Sequence, residues 1–257
     1  MTNYNRNKRI AIVTGGASGI GRSVVETLLS DGIAVAAVSR NPSRLEINSD
    51  SLIKIRADVT SSAMIKKALD EIHRSFQSSC IDILVNNAGI SGPIKPTSQV
   101  SLSEWNKTLE VNITGAFLCS KYTIPKMIAS GKGGRIINIS SMVGKNAVTF
   151  RSAYSASKMA LIGLTRSLSA ELGKYGITVN AICPGAVTGD RIDEVIAATA
   201  KARKQTKNQI RRQMIGRASL RHMTSSEEIA ALVSFLVSPG AASVTGQDWN
   251  INSGSGT

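Results

Sequence analysis

The sequence has few of the residues that would mark a secreted, metal-binding or membrane protein. Its three cysteines, Cys80, Cys119 and Cys183, follow neither a disulfide nor a zinc spacing, which predicts reduced thiols in a cytoplasmic protein. With only two histidines, a histidine-based triad or metal site is not expected. The longest largely apolar run, residues 229–237, falls far short of the roughly 20 residues that span a bilayer. The first eight residues are polar, unlike a signal peptide.

Acidic residues are also scarce. Asp and Glu number 17 against 31 Lys and Arg, which gives a formal net charge of +14. Residues 195–226 contain no acid, and they include Lys201, Arg203, Arg211 and Arg212. Such a basic run either attracts a nucleic acid or another anionic partner, or forms a solvated helix face. The solvated face is the favoured interpretation.

Short apolar runs alternate with amphipathic stretches along the whole chain. This alternation predicts strands at 9–14, 32–38, 52–55, 81–85, 135–139, 177–182 and 244–251. It predicts helices at 22–30, 62–76, 101–130, 154–174 and 191–221, and a last one after a Ser225/Glu228 capping box. No linker or repeat interrupts the pattern. We therefore expect a single α/β domain, residues 1–257, with a doubly wound Rossmann-type fold: a seven-stranded parallel sheet covered by helices on both faces.

A glycine-rich turn follows the first strand, and it is typical of dinucleotide binding. Its residues are Gly15, Gly16, Ala17, Ser18, Gly19, Ile20 and Gly21. Glycines let a pyrophosphate approach the backbone, and the next helix presents free N–H groups and a favourable dipole. The spacing differs from the usual Gly-x-Gly-x-x-Gly fingerprint.

The end of the second strand indicates which dinucleotide is bound. In NAD-dependent enzymes an acidic side chain there accepts a hydrogen bond from the ribose 2′-hydroxyl. This chain has Ser39 and Arg40 instead. A carboxylate repels a 2′-phosphate, whereas a hydroxyl and a guanidinium bind one, so NADP(H) is predicted over NAD.

Tyr154 and Lys158 are the candidate catalytic pair. Positions i and i+4 share a helix face, and a nearby cation stabilises a phenolate, which makes a tyrosine usable as a general acid or base. The Tyr-x-x-x-Lys pattern also occurs at Tyr4 and Tyr122, but only Tyr154 has a serine, Ser141, thirteen residues upstream. In the predicted helix 101–130, Asn112 is an amide among apolar residues and requires a hydrogen-bond partner.

These motifs together resemble the short-chain dehydrogenase/reductase family over nearly the whole chain. The resemblance rests on the Gly15–Gly21 turn, Asp58, the Asn86-Asn87-Ala88-Gly89 run, Asn112 with Ser141, Tyr154 and Lys158, and Pro184-Gly185. It implies a cofactor site made of Gly15, Ser18, Gly19, Ile20, Gly21, Ser39, Arg40, Asp58, Val59, Asn86, Asn87, Ala88, Tyr154, Lys158, Pro184, Gly185 and Val187.

The resemblance also implies a mechanism in which Tyr154 exchanges a proton with a carbonyl or alcohol oxygen and Ser141 holds that oxygen. Lys158 would support Tyr154 and bind the nicotinamide ribose, and Asn112 would hold a water. It implies a homo-oligomer, a dimer or a tetramer, and a substrate lid at about 188–222. Gly189 stands where the family often has threonine.

The expected function is NADP(H)-dependent interconversion of a carbonyl and a secondary alcohol on a small substrate. The positive charge of the expected lid favours an anionic substrate. A 3-oxoacyl-[acyl-carrier-protein] reductase is the alternative. Lys132 and Arg135 lie near where that subfamily has basic carrier-docking residues, whereas Tyr175 replaces another, and the lid is about ten residues longer. A nucleic-acid-binding or cofactor-sensing regulator is a second alternative, supported only by the charge.

Overall fold

The structure is a computed structural model that describes residues 8–78, 80–146 and 148–256. Tyr4 of the first Tyr-x-x-x-Lys pattern lies outside the described residues. Seven strands form one sheet: β1 (Ile10–Thr14), β2 (Ala34–Ser39), β3 (Leu52–Arg56), β4 (Ile83–Asn86), β5 (Gly134–Ile139), β6 (Ile177–Pro184) and β7 (Asp248–Ile251). All neighbouring pairs are parallel, in the order β3-β2-β1-β4-β5-β6-β7. This arrangement confirms the predicted fold class.

Helices cover both faces of the sheet. The described α-helices are α1 (Gly19–Ser30), α2 (Ser62–Phe76), α3 (Leu102–Leu109), α4 (Gly115–Ser130), α5 (Met142–Lys145), α6 (Ser152–Leu172), α7 (Asp190–Arg203), α8 (Lys207–Gly216) and α9 (Ser226–Val237). Alternate residues of β1 point to opposite faces, as the pleat requires. Ile10 and Ile12 pack in the core beneath α2, α4 and α6. Ala11 and Val13 pack in the core beneath α1 and α9.

Two predicted helices are divided in the structure. The expected helix at 101–130 is interrupted by a π-helical turn, Glu110–Thr114, between α3 and α4. The expected helix at 191–221 ends at Arg203, because Lys204 adopts a left-handed conformation with φ of 54°. A capping box of Thr206 and Gln209 then starts α8. The capping box predicted at Ser225 and Glu228 is present.

The chain reverses its direction of travel across the sheet at β1. It runs outward from β1 through β2 to β3, and then returns to β4 on the other side of β1. Loops after adjacent strands therefore leave in opposite directions, which opens a crevice at the carboxyl ends of β1 and β4. A cavity of about 930 Å³ lies there and extends from Arg40 to Arg203 at the end of α7.

Within residues 8–78, 80–146 and 148–256, no helix combines the length and apolar character needed to cross a membrane. The same part of the chain contains no group of three or more His, Cys, Asp and Glu side chains arranged to hold a metal ion.

Candidate active site

The glycine turn forms one end of the cavity. At the start of α1, Ser18 makes no side-chain cap hydrogen bond, and the first turn has no acidic residue. By contrast, α3, α8 and α9 all begin with a complete capping box. Gly19 has a φ of +51°, and a Cβ added to it would meet nothing within 4 Å. An uncapped helix start facing an open, side-chain-free backbone suits a phosphate group.

Two arginines flank the end of β2. Ser39 is the last residue of the strand, and its Oγ accepts a hydrogen bond from the Asn41 N–H at 3.2 Å. Arg40 and Arg44 line the cavity beside it. The sequence-based prediction named Arg40 and missed Arg44, which the short 3₁₀ turn Pro42–Arg44 places on the same side. Two guanidiniums and a hydroxyl at this position suit a phosphate.

Most of the other predicted cofactor residues also line the cavity. Those that do are Gly15, Ser18, Gly19, Ile20, Asp58, Val59, Asn87, Ala88, Pro184, Gly185 and Val187. The Asp58 carboxylate accepts hydrogen bonds from the Thr60 N–H and hydroxyl at 3.0 and 2.8 Å. These bonds, led by the one from the Thr60 N–H, hold the pKa of Asp58 below its usual value.

Asn86 and Gly21, by contrast, lie behind the cavity wall. The Asn86 side chain is buried, and its Nδ2 donates to Ser120 Oγ and Asn138 Oδ1 at 3.1 and 2.9 Å. A Cβ on Gly21 would overlap the Gly15 carbonyl oxygen, so this position permits only glycine. Neither residue lines the cavity, and the expected contact of each with the cofactor stays a prediction.

Ser141 and Tyr154 are brought together by close packing of α5 on α6. A Cβ on Gly144 would lie 2.9 Å from the Lys158 backbone, so glycine permits this approach. The Ser155 hydroxyl fixes it by donating to the Val143 carbonyl at 2.7 Å. Ser141, Tyr154 and Lys158 all line the cavity. Because Ser141 Oγ already accepts from the Val143 N–H at 3.1 Å, its own proton is available to a substrate oxygen.

Lys158 is a buried ammonium group next to Tyr154. Its Nζ donates to the Ile139 carbonyl at 2.7 Å and lies 5.7 Å from the Tyr154 ring centroid. Burial, reinforced by the nearby positive charge of Arg191, lowers the pKa of Lys158 to about 7. The side chain can therefore gain or lose a proton near neutral pH.

This lowered pKa predicts a pH-dependent stability. Between about pH 7 and the ordinary lysine pKa of about 10.5, the unfolded chain holds a proton on Lys158 that the folded chain lacks. The free energy of unfolding should therefore rise with pH in this range, and Lys158 should contribute up to about 1.4 kcal/mol per pH unit. Urea unfolding of the cofactor-free protein from about pH 7 to 9 measures the slope. We expect a shallower slope for Lys158→Met, and parallel curves would contradict the assignment.

Asn112 lies in the π-helical turn and connects two parts of the site. Its Oδ1 accepts from the Ile90 N–H at 2.7 Å. Its Nδ2 donates to the Ile90 carbonyl and to Ser157 Oγ, each at 3.0 Å. The partners required by the buried amide are thus the loop after β4 and helix α6. The extra residue in a π turn aims the amide at these groups. Asn112 does not itself line the cavity.

The segment expected to form the substrate lid contains α7 and α8, and only part of its positive charge reaches the cavity. Of the basic residues in 195–226, Arg203 and Arg217 line the cavity, whereas Lys201, Lys204, Lys207, Arg211, Arg212 and Arg221 are exposed outside it. Most of the charge of the run is therefore on exposed surface outside the cavity, and its interpretation as a solvated face stays a prediction. Besides Arg40 and Arg44, two cavity arginines lie outside this run. Arg191 is in the first turn of α7 and donates to the Gly89 carbonyl at 2.8 Å, and Arg151 precedes α6.

Comparisons with known proteins agree with this geometry. The family model for short chain dehydrogenase matches residues 9–230. The 3-oxoacyl-[acyl-carrier-protein] reductase FabG of Aquifex aeolicus is 34% identical over 254 residues, which cover 96% of each chain. Among solved structures, a variant of the actinorhodin polyketide ketoreductase with NADPH has a TM-score of 0.93 at 31% identity, covering 99% of both chains. An NAD⁺-bound xylitol dehydrogenase has a TM-score of 0.88 at 30% identity, covering 97% of this chain and 98% of that one.

The chain therefore belongs to the short-chain dehydrogenase/reductase family. It is an oxidoreductase of the class that uses NAD or NADP.

Proposed function

We propose that the protein is an NADP(H)-dependent oxidoreductase that interconverts a carbonyl and a secondary alcohol on a small substrate. The observation that carries the proposal is the placement of Ser141, Tyr154 and Lys158 on the wall of a cavity whose other end is the uncapped start of α1. Donors for an oxygen and a cradle for a phosphate thus share one cavity. The relatives include one structure with NADPH and one with NAD⁺. The preference for NADP(H) therefore rests on Ser39, Arg40 and Arg44.

In the proposed reaction, the cavity residues bind the cofactor, hold the substrate oxygen and supply a proton. When bound, NADPH supplies a hydride for a carbonyl carbon. Tyr154 donates its phenolic proton to the carbonyl oxygen as that oxygen gains charge, and the Ser141 hydroxyl donates a second hydrogen bond to it. Lys158, with its near-neutral pKa, stabilises the phenolate and is a route for replacing the proton. Ser39, Arg40 and Arg44 would hold the 2′-phosphate, and the start of α1 would hold the pyrophosphate.

A substrate screen with NADPH and NADH side by side tests this proposal. The panel with reduced cofactor includes an acetoacetyl thioester, sugars, a ketosteroid and short oxo acids, and polyols are assayed with NADP⁺ and NAD⁺ instead. The change in reduced-cofactor absorbance measures turnover in both directions. We expect turnover with NADPH on at least one carbonyl class and slower turnover with NADH. No turnover with either cofactor across the panel, or a clear NADH preference, would contradict the proposal.

The acyl-carrier reductase is the second candidate, because FabG of Aquifex aeolicus is among the relatives. In this chain Arg135 is at the start of β5, and its Nη1 donates to the Gly134 carbonyl at 2.9 Å. The cavity lies at the other, carboxyl ends of the strands. Lys132 and Arg135 therefore do not flank the cavity. A thioester rate that falls steeply with salt would favour the carrier substrate over a free small molecule.

A further inference from the structure

Arg151 is a buried cation with unused hydrogen-bond donors, and it forms part of the cavity wall beside Tyr154. Arg151 is only 6% exposed, and it lines the cavity. Among the described residues, neither Nε nor Nη1 has a hydrogen-bond partner. No described carboxylate forms an ion pair with it either. Burying an unpaired charge is costly, and buried guanidiniums are normally paired or fully hydrogen-bonded.

The guanidinium is held directly against the candidate catalytic residue. Its Cζ lies 4.3 Å from the centroid of the Tyr154 ring. A cation–π contact of this kind stabilises the cation and fixes its plane, but it uses none of the N–H donors. The N–H donors of Nε and Nη1 are therefore not used by any described protein group. Because both atoms are fully buried, they reach a group that enters the cavity beside Tyr154 only when the Arg151 side chain shifts.

The loop that carries Arg151 is fixed from two sides. Phe150, the preceding residue, has a φ of 67°, a conformation that a bulky side chain rarely adopts, and its carbonyl accepts from the Lys95 N–H at 3.2 Å. Arg203 of the lid donates from Nη2 to Thr149 Oγ1 at 2.9 Å. The surrounding structure thus holds Arg151 in place in spite of the strained backbone next to it.

The 2′-phosphate of the cofactor does not account for these donors. Its expected position is set by Ser39 at the end of β2, whereas Ser141 and Arg151 follow β5. In the order β2-β1-β4-β5 these strands are three spacings apart, about 14 Å. The acids lining the lid end of the cavity, Asp190 and Glu194, are exposed and form no ion pair with Arg151.

We propose that Arg151 binds a carboxylate of the substrate, so that the protein acts on short oxo acids and the corresponding hydroxy acids. A carboxylate is planar and presents two oxygens, which suits the guanidinium fork. The proposal rests on the proposed function. The carbonyl carbon gains a hydride from NADPH, the C=O π bond becomes a C–O single bond, and the oxygen takes the proton of Tyr154. Solvent then returns a proton to Tyr154.

Matched acids and esters test the proposal. The pairs are pyruvate, acetoacetate and levulinate, each with its methyl ester, assayed with NADPH on the intact protein. For at least one pair, the wild-type kcat/KM should favour the acid by about 10-fold or more. In Arg151→Gln, the acid-to-ester ratio for that pair should fall by about 30- to 100-fold, the value of a hydrogen-bonded charge. Any loss through the contact with Tyr154 affects both members and cancels in the ratio.

Two further variants separate a local ion pair from the general charge of the lid. Arg151→Lys keeps the charge and should retain part of the acid preference. Arg212→Gln removes the same charge from an exposed lid position outside the cavity. Its acid-to-ester ratio should match that of the wild type. An equal loss of the ratio in Arg212→Gln and Arg151→Gln would overturn the role of Arg151, as would unchanged ratios in both.

A binding measurement distinguishes failure of this inference from failure of the proposed function. Butyrate has no carbonyl to reduce, and butyramide is its neutral counterpart. Calorimetric titration of wild-type protein with NADP⁺ should show binding of butyrate and not of butyramide, and Arg151→Gln should weaken it by about 30-fold. If no carbonyl is reduced but this pattern holds, the proposed function fails and the carboxylate site stands. Equal affinity for butyrate and butyramide overturns the site, and this comparison uses the wild type alone should Arg151→Gln fail to fold.

Discussion

Tyr154→Phe is expected to lower kcat by about 10³-fold, the usual contribution of a positioned general acid. The phenyl ring keeps its contacts with Arg151 and Lys158, so the fold and the cavity should be preserved. NADPH affinity should stay within about threefold of wild type, because the phosphate cradle at α1 and β2 is untouched. Steady-state kinetics on a substrate from the screen and fluorescence titration of NADPH measure the two quantities separately.

The chain supplies its own matched control. Tyr122 and Lys126 show the same Tyr-x-x-x-Lys spacing in α4. Tyr122 packs against the core beneath α2 and α4 and does not line the cavity. Tyr122→Phe removes the same hydroxyl from the same local pattern, so its kcat should remain close to that of the wild type. Near-wild-type turnover in Tyr154→Phe, or an equal loss in both variants, would exclude Tyr154 as the general acid.

Features set by local sequence were predictable. The strands follow from apolar runs bounded by turns, and their ends place Ser39, Asn87 and Ser141 at one edge of the sheet. The glycine turn after β1 could also be predicted from the sequence, because only glycine permits the close backbone approaches at Gly15 and Gly21. The Tyr-x-x-x-Lys pattern alone did not identify Tyr154 as catalytic. The presence of Ser141 thirteen residues upstream made that role a hypothesis. Its placement in the cavity beside Ser141 fits that hypothesis, and the variant above tests it.

Features set by tertiary packing were not predictable in the same way. The side chain of Arg151 is an ordinary charge in the sequence, and only packing against Tyr154 shows that it is buried without a partner. The buried amide of Asn112 lies in a π turn and is hydrogen-bonded to Ile90 and Ser157. The sequence indicated that this amide needs partners, but not which residues they are. The end of α7 did have a local signal, since the Thr206/Gln209 capping box marks a new helix start.

The positive charge illustrates the same limit. The acid-free run at 195–226 suggested an anionic substrate, but six of its eight Lys and Arg residues are exposed outside the cavity. The group proposed to bind an anion is therefore the buried guanidinium of Arg151, and not the total charge of residues 195–226. Surface charges are screened by salt within about 10 Å, whereas a buried ion pair is screened much less. The two sources therefore differ in their salt dependence.

Ser39→Asp is expected to change the ratio of NADPH to NADH efficiency by about 10³-fold, from a preference for NADPH to one for NADH. The new carboxylate would repel a 2′-phosphate and accept a hydrogen bond from a free 2′-hydroxyl. The local backbone tolerates the change, because an aspartate can accept the hydrogen bond that the Asn41 N–H now donates to Ser39 Oγ at 3.2 Å. Measurement of kcat/KM for each cofactor at fixed substrate gives the ratio.

The control is Ser103→Asp, which makes the same chemical change at an exposed position in the first turn of α3 outside the cavity. Its cofactor ratio should equal that of the wild type. A ratio that Ser39→Asp leaves unchanged would contradict the binding of a 2′-phosphate beside Ser39 at the end of β2. A wild-type preference for NADH would remove the basis of the NADP(H) proposal. Because Ser39 lies about 14 Å from the strand end that precedes Ser141, neither result would alter the assignment of Tyr154.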